Sequence, residues 1–164
     1  MNAAEHDGQP TVRADLVGTG AFVAVAALAL VWRDERPAQI AMAVVSMVLF
    51  AIGAFTGLAA YVRALERSRI DEIGVANLFL LTGTTAPRPV KRAMTLALTV
   101  QVVVGLVGAI VGAVGLSGNE VNTLAFGILV PMLGIGLNGL WAVRFGRFPP
   151  RLDKPVQPSR RRID

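Results

Sequence analysis

The stretch AMTLALTVQVVVGLVGAIVGAVGL, Ala93 to Leu116, decides how this chain folds. It contains no Asp, Glu, Lys, Arg or His, and its apolar residues run on without the period-2 alternation of a barrel strand. A backbone placed in hydrocarbon must satisfy its own hydrogen bonds, so a run of this kind reads as a helix. Covering the ~30 Å oil layer of a bilayer takes about 20 such residues. Lys91 and Arg92 stop the run at one end, and Ser117 to Glu120 stop it at the other.

Three more stretches of the same character surround it: Leu16 to Trp32, Pro37 to Val62 and Val121 to Val143. The chain therefore reads as all-α, an integral membrane four-helix bundle. A polar N-terminal tail (residues 1–15) precedes a four-helix domain (16–143), and a basic tail rich in Pro and Arg (144–164) follows it. Composition agrees, because 54% of the 164 residues are hydrophobic and 16% are charged, with a mean hydropathy of +0.58. A soluble domain of this size would need more polar surface. This Ala-, Val-, Gly- and Arg-rich composition resembles that of small membrane proteins of high-GC bacteria such as actinobacteria, a likeness that spans the whole chain.

Basic residues set the orientation. Arg13, the segment from Arg63 to Arg92 and the segment from Arg144 onward hold fourteen of the sixteen, and the other side of a four-span topology has only Arg33 and Arg36. The positive-inside rule then makes both termini and the middle loop cytoplasmic, a multi-pass N-in/C-in protein of the plasma membrane. The first run is read as a span rather than a cleaved signal peptide, because its preceding tail is poor in basic residues and carries Glu5, Asp7 and Asp15. A pI near 11.0 and a net charge of +5 would suggest nucleic acid in a soluble chain. Beside membrane spans they point to anionic lipid headgroups, with Arg67, Arg69 and the Arg160-Arg161-Arg162 cluster as the expected contacts with headgroups or with a partner protein, and nucleic acid is not an expected partner.

Small residues form the sharpest pattern. Gly105, Gly108, Gly112 and Gly115 recur at steps of three, four and three on one face of the third helix, and Gly53 and Gly57 form a Gly-x-x-x-Gly pair in the second. Lipid tails are as apolar as leucine, so membrane helices associate through close backbone packing of this sort. The third helix should pack tightly on a neighbour, from this chain or another. In the fourth run Pro131 should kink the helix near Gly127 to Pro131. Between the second and third runs, the helix should continue past the headgroups and the Gly74 to Leu81 stretch should bend back as an interfacial segment.

Uncharged polar residues suggest an internal cluster. At ~1.5 Å per residue, Asn138 lies about 9 Å above Arg144, Gln101 about 13 Å above Arg92 and Thr56 about 10 Å above Arg63. These similar depths predict an inward-facing group of Thr56, Gln101 and Asn138, joined by Thr19 or Thr99, acting as interhelical glue.

Catalytic chemistry is not expected. Gly115-Leu116-Ser117-Gly118 resembles the Gly-x-Ser-Gly motif of rhomboid proteases, but the only histidine, His6, falls on the opposite side of the membrane, and that chemistry needs a histidine base in reach. The chain has no cysteine, and Asp71-Glu72 stands without a second acidic motif, so no metal or cofactor is expected. No acidic, basic or histidine side chain marks an ion path inside the four runs. The expected function is therefore that of a non-enzymatic accessory or structural subunit, associating with other membrane subunits or with itself through its glycine-lined helix faces. A small homo-oligomeric channel or transporter-like protein is the alternative.

Overall fold

The computed structural model describes residues 8–114 and 122–151. Four helices are long and apolar enough to cross a membrane: α1 (Gln9–Val31), α2 (Arg36–Arg67), α4 (Arg88–Ala113), and a fourth span from Thr123 to Phe145. The fourth is composite, a 3-10 segment (Thr123–Leu129) followed by α5 (Pro131–Phe145), and a short α3 (Val75–Phe79) lies in the middle loop. Among the described residues there is no β-strand beyond one isolated bridge, Asp71 with Pro150. Gly115, Ser117 and Arg160 to Arg162 lie outside the described residues.

Each long helix opens on a proline in its first turn: Pro10, Pro37, Pro89 and Pro131. The first-turn N–H groups have no intrahelical acceptor, and the proline ring presets a helical φ, so proline starts a helix at no loss. Pro131 therefore acts as a beginning rather than as a bend inside one continuous α-helix. Upstream of it the chain tightens into the 3-10 coil, with Val130 N–H donating to Gly127 O at 3.1 Å and Leu133 N–H to Val130 O at 2.8 Å. The expected kink is thus a change of coil type.

The composite span is the centre of the bundle. In its apolar window 61% of residues are buried, against 28%, 22% and 17% in α1, α2 and α4. Those three helices turn much of their apolar surface outward, with Val17, Leu28, Phe55, Leu58, Leu96 and Ile110 all exposed. Large apolar side chains on the rim and a glycine-rich helix in the middle suit a molecule whose surroundings are as oily as its core.

The glycine faces are used inside the chain. α2 packs most extensively on α5: a side chain at Gly53 would run into the Met132–Leu133 backbone, and one at Gly136 would run into the carbonyl of Gly53. Gly57 lies beside the same turn, facing Met132 and Gly136. Along α4, Gly105 meets the backbone of Gly127, Gly108 faces Leu124 and Gly112 accommodates Asn122, so the stripe seats the 3-10 segment. The neighbour of the third span's glycine face is therefore the fourth span of the same chain. This removes Gly53, Gly57, Gly105 and Gly112 as ready surfaces for a second protein, and leaves Gly108 only loosely covered.

Both described termini and the middle loop share one end of the bundle. Gly8 abuts the indole of Trp141, and Arg147 N–H donates to Thr85 O at 3.1 Å. α2 runs to Arg67, after which the chain turns back through α3 and lays the Phe79 ring on Gly139 of α5. The loop is thus a lid on the core, with Leu78, Leu81, Thr85 and Ala86 buried. At the opposite end the Arg33 guanidinium donates to Val114 O at 3.1 Å, joining the α1–α2 turn to the end of α4.

Candidate functional site in the bundle core

α1 begins seven residues before the first apolar run. Its buried face, Val12, Asp15, Thr19, Phe22, Ala26 and Ala29, continues the three- and four-residue spacing of a helix back through the polar segment. Asp15 is carried into the interior with 1% of its surface exposed. The expected polar tail of residues 1–15 is corrected over residues 9–15, which belong to α1, and so is the reading that the spans contain no carboxylate; residues 1–7 lie outside the described residues.

Gln101, fully buried on α4, organises the site. Its Nε2 donates to Asp15 Oδ1 at 3.1 Å and to Thr19 Oγ1 at 2.7 Å. Its Oε1 accepts from Gly134 N–H at 3.2 Å. Thr19 Oγ1 in turn donates to the Asp15 carbonyl at 2.8 Å. Gly134 N–H is available because Leu133 N–H takes the Val130 carbonyl, so the coil change at Pro131 and the glutamine on α4 are one construction. The first turn of α5 also carries partial positive charge, which favours the oxygens placed there.

Through these partners the depth of Asp15 can be read off other helices. Gln101 is nine residues from Arg92 and Gly134 is ten from Arg144, about 13 to 15 Å along those helices, whereas on α1 Arg13 stands two residues before Asp15 on the exposed face. Its Oδ2 is sealed from solvent and has no hydrogen-bond partner among the described residues, and the same is true of Asn138 Oδ1 and Trp141 Nε1.

The predicted cluster of Thr56, Gln101 and Asn138 does not assemble. Asn138 lies one turn beyond Gly134 on α5 and donates to Phe79 O at 2.9 Å, fastening the lid. Thr56 turns to its own helix, with Oγ1 2.8 Å from Ile52 O and 3.1 Å from Gly53 O. Thr19 joins Gln101, whereas Thr99 bonds back to Thr95 O at 2.9 Å. Matching depths located three residues along their helices but carried no information about which way each faced.

Arg67 is also placed differently from a lipid contact. Its Nε pairs with Asp71 at 2.6 Å, its two terminal nitrogens donate to Val143 O at 3.1 Å and Gly146 O at 3.2 Å, and the guanidinium lies 5.0 Å over the Phe148 ring. It ties α2, the end of α5 and the C-terminal segment together. Arg69 remains exposed. An open groove at the same end of the bundle is lined instead by Arg88, Lys91, Arg92 and Thr95. Among the described residues no group of three or more His, Cys, Asp or Glu side chains gathers where a metal ion could be held.

These features define a class: an all-helical chain with four helices long and apolar enough to cross a membrane, closed at one end by its own loop and tail. Neither the protein-family models, nor the curated proteins, nor the solved structures contain a match to it.

Proposed function

We propose that the chain is a small multi-pass protein of the plasma membrane, both termini cytoplasmic, serving without catalysis as an accessory or structural subunit of a membrane assembly. The observation that carries this reading is an apolar groove of about 300 Å³ between α1 and α4, lined by Val23, Ala26, Ala27, Leu30, Val107 and Gly108 among others. Small residues at its floor admit a further helix at close range, which is how helices associate in oil. Because the other glycine faces are filled from within, this groove is where a partner helix docks. The basic end, with Arg69 and the groove lined by Arg88, Lys91 and Arg92, is the side that rests on anionic headgroups in the cytoplasmic leaflet.

Purification in mild detergent tests the proposal. A defined set of membrane proteins should accompany the wild type and be lost when Ala27→Leu fills the groove, with the bundle itself still folded. Retention of the same partners by that variant, or recovery of the wild type free of any partner, overturns it. The transporter-like alternative gains one specific support, the enclosed carboxyl of Asp15 beside a discontinuous span.

A further inference from the structure

We infer that Asp15 is a proton-binding site of the bundle: Oδ2 carries a single proton, which exchanges only when α1 separates from α4 and α5. The inference rests on the enclosure of the carboxyl within the apolar helices rather than on the accessory-subunit reading, so either can fail alone.

The polar groups of the site are paired with one another, save one atom. Gln101 uses both donors and its acceptor, Thr19 both donates and accepts, and Asp15 Oδ1 accepts from Gln101, which leaves Oδ2 as the unanswered atom of the group. An isolated carboxylate in such surroundings is far costlier than a neutral acid, and membrane proteins keep one only with a counter-charge. Among the described residues no such charge faces it. On its own helix Arg13 is exposed and points away from the buried face. On α4 the nearest charged residue is Arg92 and on α5 it is Arg144, each more than two turns off. The buried face of α2, from Met42 and Ser46 through Leu49, Gly53 and Gly57 to Ala64, is uncharged, as is the whole 3-10 segment. The one ion pair among the described residues, Arg67 with Asp71, is at the lid.

Size and ligand number then select the cation. A metal ion of the sodium or calcium kind needs several oxygen ligands around it, whereas the remaining oxygens of the cluster are engaged and Oδ2 has no solvent-sized space beside it. A proton needs neither. It also converts a surplus of acceptors into a donor, in a region where Asn138 Oδ1, one turn along α5 from Gly134, is likewise without one. Exchange requires opening, because α1 is seated on α5 through Gly8 against Trp141 and Gly18 against Leu133.

Infrared spectroscopy of the full chain in lipid nanodiscs at neutral pH tests this directly. Wild type minus Asp15→Asn should contain the carbonyl band of a protonated carboxyl, unchanged when sodium chloride is replaced by choline chloride. In heavy water the band should shift slowly, at the pace of helix opening. If the asparagine variant does not fold, wild type labelled with ¹³C-aspartate gives the same reading from the isotope-shifted carbonyl band. A difference spectrum with carboxylate bands alone, a carbonyl band that appears only on withdrawing sodium, or immediate deuterium exchange overturns the proposal.

Discussion

Two polar networks hold this bundle, and they solve opposite problems. At the lid, Arg67 is only partly buried, with its side chain 33% exposed, and it finds a carboxylate, two carbonyls and an aromatic face. In the core, Asp15 is sealed and its carboxyl finds a single amide donor, for one oxygen only, while the Thr19 hydroxyl takes its backbone carbonyl. Where water reaches, full charges can be paired at modest cost; where it does not, hydrogen bonds between uncharged groups do the joining. The core network binds α1, α4 and α5, and the lid network binds α2, α5 and the tail, so together they reach every span.

Gln101→Leu should have the largest effect, because it strands Asp15, Thr19 and Gly134 N–H together. Three lost contacts at about 1 kcal/mol each predict a destabilisation of about 3 kcal/mol in detergent unfolding. A change below the scatter of the measurement would mean that the core network joins nothing. Arg67→Met should cost about 2 kcal/mol, since buried carbonyls lose a donor, and protease should then cut the segment 68–87 faster while the spans stay intact. Cleavage unchanged from wild type would show that the lid is held by Phe79 and Asn138 instead. Asp71→Asn should cost least, about 0.5 kcal/mol, and high salt should erase the difference from wild type, as expected for a part-exposed ion pair.

Much of this architecture is legible in the sequence. The four spans follow from the length and purity of their apolar runs, and the shared end of the termini and middle loop follows from an even number of crossings. Asp15 escapes that reading because hydropathy averages over a window, and Arg13, Ala14 and Asp15 sit at the edge of one. The signal that recovers it is periodicity: Val12, Asp15 and Thr19 lead in step to Phe22 and Ala26, and Pro10 marks a helix start. Pro131 is ambiguous for a different reason. A proline in the middle of an apolar run is compatible with a bent helix or with a fresh beginning, and only the tertiary acceptor for Gly134 N–H, supplied by Gln101, decides between them. The destination of the glycine stripe is likewise a matter of which neighbour is nearest, a long-range fact that no local spacing contains.

The 3-10 stretch leading into the central span has a mechanical corollary. Seven residues rise about 14 Å in that form, at about 2.0 Å each, but only about 10.5 Å as an α-helix. Recoiling Thr123–Leu129 would therefore shorten the span by about 3.5 Å and swing Asn122 through about 140°. That swing would break its grip on the Ala109 carbonyl, now 2.9 Å away. The middle of this molecule thus contains slack that its three outer helices lack, and a bilayer of different thickness has one obvious place to take it up.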